Sequence, residues 1–142
     1  MATTIHEPQS DHEILATYDV MSQLRPGMSR EQYLAFVRRL MEREGYRLAA
    51  LVDAGEVRAV AGYRFMEMLY CGRIISVDDL VTDERVRSKG FGRQLLEWLK
   101  ALGRSRGCGE IHLDSRLHRE AAHRFYEREG IGKLGYHFSG KL

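Results

Sequence analysis

Basic and glycine residues are concentrated in one short stretch of the chain, just before an amphipathic segment. The stretch contains Arg87, Lys89 and Arg93, which enclose Gly90 and Gly92. Backbone N–H groups at the start of a helix have no partner within the helix, and the helix dipole adds positive potential there. Glycine lets a ligand approach the backbone closely, and cationic side chains bind phosphate oxygens. The stretch therefore predicts a site for an anion, in particular a pyrophosphate.

Two well-known phosphate-binding patterns do not match this stretch. The chain has no GxxxxGK[ST], so a P-loop is excluded. The glycine pair lacks the third glycine of the dinucleotide fingerprint and follows basic residues. The glycines alone are also compatible with a basic turn that simply precedes an ordinary helix.

The periodicity of apolar residues predicts the elements that position this stretch. It predicts helices over 10–24, 29–44, 91–104 and 118–129, strands over 46–52, 57–69, 73–82 and 110–114, and short strands at 3–7 and 136–138. Helices before a meander of strands, followed by a strand–helix–strand unit, indicate a mixed α/β sheet. We expect strands 73–82 and 110–114 to be parallel neighbours, joined by helix 91–104.

Length and composition favour a single domain over residues 1–142 and exclude several classes of protein. A net charge of +2 argues against a general nucleic-acid or membrane-surface binder. No apolar run approaches the roughly 20 residues that cross a bilayer, and the first residues lack a signal-peptide pattern. We therefore expect a cytoplasmic protein whose two cysteines, Cys71 and Cys108, are reduced.

The histidines do not suggest a metal site. His118 and His123 are five positions apart, whereas two ligands on one face of a helix are four apart. We therefore expect no metal ion.

Three motifs resemble those of the GNAT family of N-acetyltransferases. Residues 87–92, Arg-Ser-Lys-Gly-Phe-Gly, resemble the R/Q-x-x-G-x-G/A signature, and residues 79–82, Asp-Leu-Val-Thr, are similar to the acidic strand before it. Residues 122–131 resemble the A-x-x-F-Y-E-x-x-G-F element. The order and spacing also match, so the resemblance covers nearly the whole chain. It implies an α/β fold with a central mixed sheet of six to seven strands, about four flanking helices and a splayed parallel strand pair.

The resemblance implies that acetyl-CoA binds between those splayed strands as a co-substrate. Backbone groups of Leu80 and Thr82, with Val81 between them, would pair with the pantetheine arm. The pyrophosphate would be held by a set of loop and helix residues, namely Arg87, Ser88, Lys89, Gly90, Phe91, Gly92 and Arg93. Arg119 stands where the family often has an asparagine that contacts the pantetheine arm, so that contact is not carried over. Ser115 is a candidate to replace part of it.

The resemblance also implies direct attack of an amine on the thioester. Tyr126 would be the general acid that protonates the leaving thiolate, and Asp79 is the candidate base, with the backbone N–H of Leu80 as a donor to the developing oxyanion. Asp78 would point to the opposite face of a regular strand, although a bulge would change this. Tyr126 could instead be a core aromatic, and Asp79 a carboxylate satisfied by neighbouring groups. His112 is a weaker alternative base.

The acceptor is expected to be a primary amine of a small molecule or a peptide. The two acidic residues, Asp78 and Asp79, slightly favour a cationic acceptor. Dimerisation is common for this fold, so a homodimer remains open. The alternative function is a non-catalytic acyl-CoA-binding module used for sensing, which turnover would distinguish from an enzyme.

Overall fold

The computed structural model describes residues 3–87, 89–115 and 119–142. Its elements in chain order are β1 (Thr4–His6), α1 (Asp11–Ala16), α2 (Tyr18–Leu24), α3 (Arg30–Arg43), β2 (Arg47–Asp53), β3 (Glu56–Met68), β4 (Gly72–Thr82), a 3₁₀ turn (Glu84–Val86), α4 (Phe91–Ser105), β5 (Glu110–Leu113) and α5 (Glu120–Arg128). The chain divides into two compact units, Met1–His112 and Leu113–Leu142, which are described separately.

The strands form one sheet in the order β1-β2-β3-β4-β5. Strands β1 to β4 are antiparallel neighbours, and β2 and β3 are joined by a tight turn with positive φ angles at Ala54 and Gly55. The N–H of Gly109, just before β5, donates to the carbonyl of Arg73 at the start of β4, at 2.9 Å. Because the two strands begin side by side, β5 runs parallel to β4. The predicted mixed sheet is confirmed.

The sheet has five strands in the described residues rather than the predicted six to seven. The strand predicted at 136–138 does not form, and Tyr136 and Phe138 are 77% and 90% exposed. The alternating pattern at 136–138 is only three residues long and lies between Gly135 and Gly140. Such a short segment is not a stable strand without a partner. The predicted helix 118–129 is observed as α5, and His118, its predicted first residue, lies outside the described residues.

The helix predicted over 10–24 is divided into α1 and α2 at Thr17. The Thr17 hydroxyl is fully buried and donates to the carbonyl of Ile14 at 2.6 Å, and it also pairs with the hydroxyl of Tyr33 at 2.7 Å. A threonine side chain that bonds to its own backbone competes with the helical ladder, which explains the break. The start of α1 matches the prediction, because Ser10 caps it in a capping box with Glu13.

The two faces of the sheet in the first unit are covered by different helices. Helices α1 to α3 pack on one face, where the core cluster consists of Ile14, Val20, Met21, Tyr33, Val37, Tyr46, Leu48, Val60 and Val81. Helix α4 covers the other face, where Trp98 stacks edge-on against Tyr63 at 6.2 Å between ring centroids. Gly103 of α4 lies so close to Ile75 that an added Cβ would be 2.9 Å from its Cγ2. This glycine therefore allows the helix to pack tightly on β4.

A β-bulge in β4 changes which face its residues point to. Tyr63 is paired with Val77, whereas the preceding Gly62 is paired with Asp79, so Asp78 is an extra residue in β4. Val77 shares the α4 face with Tyr63, because directly paired residues lie on the same side of a sheet. Asp79 instead contacts Tyr46 of the α1–α3 core. Residues after the bulge are thus turned over relative to those before it.

Among the described residues, no helix is both long enough and apolar enough to cross a bilayer.

A cluster at the beginning of β2 contributes to the stability of the sheet. Glu7 accepts hydrogen bonds from the hydroxyl of Tyr63 at 2.6 Å and from Nε and Nη2 of Arg47 at 2.9 and 3.1 Å. Burial opposes ionisation of Glu7, but the hydrogen bonds from Arg47 and Tyr63 outweigh it and lower the pKa of the carboxyl group. The ionised carboxylate is therefore the form that the fold stabilises.

Replacing Glu7 by glutamine should lower the free energy of unfolding by about 1–2 kcal/mol at pH 7, because charge-assisted hydrogen bonds are lost. A lowered folded-state pKa contributes stability above the ordinary value of 4.5, and that contribution disappears as the pH falls below it. Urea unfolding from pH 7 to pH 3 should therefore show the two proteins converging below pH 4.5. Glu42→Gln, on the exposed surface of α3, is the control. A constant difference down to pH 3 would contradict this.

Candidate active site

The anion site predicted from the sequence lies at the start of α4. Gly90 is the N-cap residue in a left-handed conformation with φ 81°, and no side chain of the residues that the structure describes caps the helix. The first N–H groups of the helix are therefore left for a ligand. A Cβ added at Gly90 would meet nothing within 4 Å, so the backbone borders open space. This is the geometry that a bound pyrophosphate requires.

Three cationic residues are close to this helix start along the chain. Arg87, Lys89 and Arg93 are exposed, whereas Phe91 is buried and anchors the first turn in the core. Ser88, which was also predicted to bind the pyrophosphate, lies outside the described residues.

The end of β4 offers backbone hydrogen-bonding groups on the edge away from β3. The N–H of Asp83 donates to the carbonyl of Arg58 at 2.8 Å, in line with the β3–β4 pairs Val60–Val81 and Ala59–Thr82. Along an antiparallel strand, successive residues direct their backbone groups to opposite edges. Val81 and Asp83 therefore bond to β3, while Leu80 and Thr82 direct their N–H and carbonyl groups towards the other edge. These are the groups expected to pair with a pantetheine arm.

The bulge brings two carboxylates to the same face of the sheet. Asp79 accepts a hydrogen bond from Arg25 Nε at 2.8 Å on one oxygen and from the hydroxyl of Tyr46 at 2.7 Å on the other. Asp78 forms a two-point ion pair with Arg64, at 2.7 and 3.2 Å. Of the two alternatives for this strand, the bulge is therefore the one observed: the extra residue turns Asp79 over, so that it shares a face with Asp78. The observed contacts of Asp79 match the alternative of a carboxylate satisfied by its neighbours.

Tyr46 is held in its protonated form beside Asp79. Burial raises the pKa of Tyr46 well above its usual range, and the neighbouring Asp79 carboxylate raises it further. Gly62 makes room for this pair, because a Cβ there would overlap the Tyr46 hydroxyl and lie 2.6 Å from Asp79 Oδ2. The hydrogen bond from Tyr46 thus fixes the position of the carboxylate.

Asp83 anchors the loop between β4 and α4. Its fully buried carboxylate accepts hydrogen bonds from the side chain and backbone N–H of Arg85, from Arg58 at 3.2 Å and from Gln23 at 3.2 Å. Hydrogen bonds to the carboxylate from the Arg85 guanidinium, from the Arg85 backbone N–H and from the Gln23 side chain outweigh burial. The pKa of Asp83 therefore lies far below its usual range. The side-chain oxygen of Gln23, Oε1, also accepts a hydrogen bond from the backbone N–H of Glu84 at 2.9 Å. The loop is thereby tied to both α2 and β3.

In the second unit, Tyr126 lies on α5 and is only 8% exposed. Its ring centroid is 5.5 Å from that of Phe125. Burial raises the pKa of the Tyr126 hydroxyl, and Arg119 opposes this shift. The hydroxyl is therefore protonated at neutral pH, as a general acid must be. In the same unit, the Ser115 hydroxyl oxygen is buried and has no hydrogen-bond partner among the described residues, which leaves it available for a ligand.

Sequence reasoning missed the side chains that hold the predicted ones in place. Arg25, Tyr46 and Arg64 position the two acidic residues, and Gln23 and Arg58 position Asp83. Their partners are far away along the chain, so no local spacing indicates them. One local feature could have indicated such an anchor: Asp83 is an acidic residue directly after a buried strand.

Comparison with known proteins identifies the class. The sequence model of the acetyltransferase (GNAT) family matches residues 12–131. The chain therefore belongs to the GNAT family, as its motifs predicted. It is an N-acetyltransferase that uses acetyl-CoA as acyl donor.

Individual relatives support this assignment. The chain is 36% identical to the N-acetyltransferase YhdJ of Bacillus subtilis (strain 168) over 93% of its own length and 92% of that protein. It is 28% identical to glucosamine 6-phosphate N-acetyltransferase 1 of Dictyostelium discoideum, over 78% of this chain and 72% of that protein. The structure of an aminoglycoside N-acetyltransferase, AAC(6')-Iy, in complex with CoA superposes with a TM-score of 0.85, at 14% identity, over 99% of this chain and 95% of that one. The last comparison concerns the fold alone.

Replacing Asp83 by asparagine should lower the free energy of unfolding by about 3 kcal/mol, because one partner of a buried ion pair is removed. Acetyl-CoA affinity should fall as well, since the loop leading to Gly90 loses its ties to α2 and β3. Urea unfolding and isothermal titration with acetyl-CoA measure the two effects. Glu84→Gln, at the exposed neighbouring position, should leave both unchanged. Wild-type stability in the Asp83 variant would show that the carboxylate does not anchor the loop.

Proposed function

We propose that this protein transfers the acetyl group from acetyl-CoA directly to a primary amine of a small molecule, with Tyr126 as general acid and Asp79 in the acceptor site. The observation that carries the cofactor part is the uncapped start of α4 at Gly90, with cationic side chains around it. Residues 1–142 would act as one N-acetyltransferase domain, which the family match over 12–131 supports because it spans both compact units.

The co-substrate would be held mainly by backbone groups. The N–H groups at the start of α4 would bind the pyrophosphate, with Arg87, Lys89 and Arg93 adding positive charge. The outward edge of Leu80 and Thr82, on either side of Val81, would pair with the amides of the pantetheine arm as an additional strand does. The unpartnered hydroxyl of Ser115 would take over part of the contact that the usual asparagine makes, since Arg119 stands in its place.

The reaction needs a proton removed from the amine and a proton delivered to the leaving thiolate. Arg25 and Tyr46 use two of the roughly four acceptor positions on the Asp79 carboxylate. The remaining positions would accept a proton from the substrate ammonium, directly or through water. The N–H of Leu80 would donate to the carbonyl oxygen as negative charge develops there. Tyr126, protonated at neutral pH, would then supply a proton to the CoA thiolate.

The acceptor is argued from the charges around the bulge. Asp78 and Asp79 are each paired with an arginine, so the pair of acids no longer favours a cationic acceptor on charge alone. Arg25 is about half exposed and remains open to a further contact. A relative with 28% identity is named for glucosamine 6-phosphate, an amine that carries a phosphate. We therefore rank small amines with a phosphoryl group first among acceptors.

Two sequence-based expectations remain predictions. They are the cytoplasmic location and the homodimer.

The first test of this proposal is titration with acetyl-CoA, followed by an assay of free thiol against phosphorylated amino sugars, aminoalkylphosphonates, polyamines and peptides. Thiol release with one amine class would establish the acceptor. Binding of acetyl-CoA without release for any of these amines would instead favour the non-catalytic sensing module. Absence of binding would contradict the assigned cofactor site.

Replacing Gly90 by glutamate should weaken acetyl-CoA binding by at least about 100-fold, because a carboxylate would face the pyrophosphate at the helix start. Gly107→Glu is a matched control, since Gly107 follows the other end of α4, has φ 77° and also borders open space. Both variants should lose about 1–2 kcal/mol of stability from left-handed backbone strain. Titration calorimetry measures the acetyl-CoA affinity of both variants. Equal affinities would show that the pyrophosphate does not bind at Gly90.

Replacing Tyr126 by phenylalanine should lower kcat about 100-fold while leaving acetyl-CoA affinity nearly unchanged, because only the transferable proton is lost. The wild-type rate should persist above pH 8, because burial raises the pKa of Tyr126 and keeps the hydroxyl protonated. Tyr136→Phe, at an exposed position of the same unit, is the control. Equal kcat in both variants would make Tyr126 a core aromatic without a catalytic role.

A further inference from the structure

Cys71, Glu110 and His112 form a cluster of metal-binding side chains away from the candidate active site. Their ligand atoms all lie within 4.8 Å of one another, and His112 Nε2 lies 2.7 Å from Glu110 Oε1. Cys71 directly precedes β4, whereas the pyrophosphate loop follows the other end of that strand. Eleven residues of extended chain separate the two ends by roughly 35 Å, so Cys71 lies far from the proposed pyrophosphate site.

The backbone holds the two segments of this cluster in place before any ligand binds. Glu110 and His112 occupy alternate positions of β5 and therefore point to the same face. Cys71 lies in the turn between β3 and β4, which Gly72 completes with φ 77°. The turn and the start of β5 are joined by the bond from Gly109 N–H to the Arg73 carbonyl, at 2.9 Å.

The approach to β5 is fixed as well. Arg73 Nε donates to the carbonyl of Arg106 at 2.9 Å, and the N–H of Cys108 donates to the carbonyl of Gly103 at the same distance. Only side-chain rotations are then needed to complete a metal site.

We propose that Cys71, Glu110 and His112 bind one Zn²⁺ ion. Thiolate, imidazole and carboxylate are the three ligand types that zinc combines in tetrahedral sites, with water able to fill the fourth position. Magnesium and calcium prefer all-oxygen sites, so the sulfur and nitrogen donors disfavour them. Donor atoms around tetrahedral zinc lie about 3.5 Å apart, close to the spacing already present. Glu110 is exposed and the other two side chains are partly exposed, so an ion can reach the cluster.

Bound zinc would connect the β3–β4 turn to β5 through side chains. At present the backbone bond at Gly109 joins these segments. Because the ion would bind only the folded arrangement, it should raise thermal stability in proportion to its affinity. This site is not visible in the sequence, because Cys71 is far from β5 along the chain and no local spacing joins it to His112.

The test is a titration of the reduced, untagged full-length protein with Zn²⁺ against a competing metal indicator. We expect one equivalent of zinc to bind, and the Tm to rise by about 5–10 °C at a zinc concentration 100 times Kd. Cys71→Ser and His112→Gln should each raise Kd at least about 100-fold, since the loss of a ligand costs more than the loss of a group that supports one. Cys108→Ser removes the other cysteine and should bind zinc like the wild type.

Substituting Co²⁺ gives a second, independent measurement. Thiolate-to-cobalt charge-transfer absorption should appear in the wild type and in Cys108→Ser, and it should be absent from Cys71→Ser. Thermal unfolding without metal shows whether each variant is folded. If Cys71→Ser does not fold, the zinc affinity of His112→Gln decides the test. The proposal is overturned if no equivalent of zinc binds, or if both substitutions in the cluster leave Kd unchanged.

Discussion

The buried carboxylate of Asp83 determines how the proposed cofactor loop is held. A fully buried charge is costly unless it is paired, and this one is satisfied from three directions by Arg58, Arg85 and Gln23. Those partners belong to β3, to the loop itself and to α2. A shift of the loop would separate Asp83 from these partners and leave a buried charge unpaired. Because the helix-start N–H groups must be preorganised to bind a phosphate without further cost, this anchoring bears directly on substrate affinity.

The bulge at Asp78 has a comparable role for the acceptor side. Without the extra residue, alternation along β4 would direct Asp79 and Val81 to the face covered by α4. With it, Val81 joins the α1–α3 core while Asp79 reaches Arg25 and Tyr46 on the same face. The extra residue Asp78 thus lets the odd-numbered residues of β4 face α4 before the bulge and the candidate acceptor site after it.

The fold was largely predictable, because period and turn chemistry are local properties of the sequence. The strand–loop–helix unit around Gly90 and the hairpin at Ala54-Gly55 appeared where the pattern indicated them. The division of the first helix at Thr17 was not predicted, since the Thr17 hydroxyl that bonds to the Ile14 carbonyl also pairs with Tyr33 in another helix, a contact that local periodicity does not show. The strand at 136–138 was wrongly predicted, because alternation in a short segment cannot show whether a partner strand exists. The arginines paired with the acidic residues were missed for the same reason, since their partners are distant along the chain.

The proposed pyrophosphate site consists mainly of backbone groups, which has an evolutionary consequence. Every residue except proline supplies the same N–H group, so most positions of the loop can change identity without removing a ligand contact. Gly90 is the exception, because its left-handed conformation strains any other residue, and a side chain there would enter the space that the pyrophosphate is proposed to fill. Selection on donor binding would therefore act strongly on one glycine and on the buried Asp83, and weakly on the rest of the loop. The residues around Asp79 in the proposed acceptor site would be left free to diverge, so that one donor site can serve enzymes with many different amines.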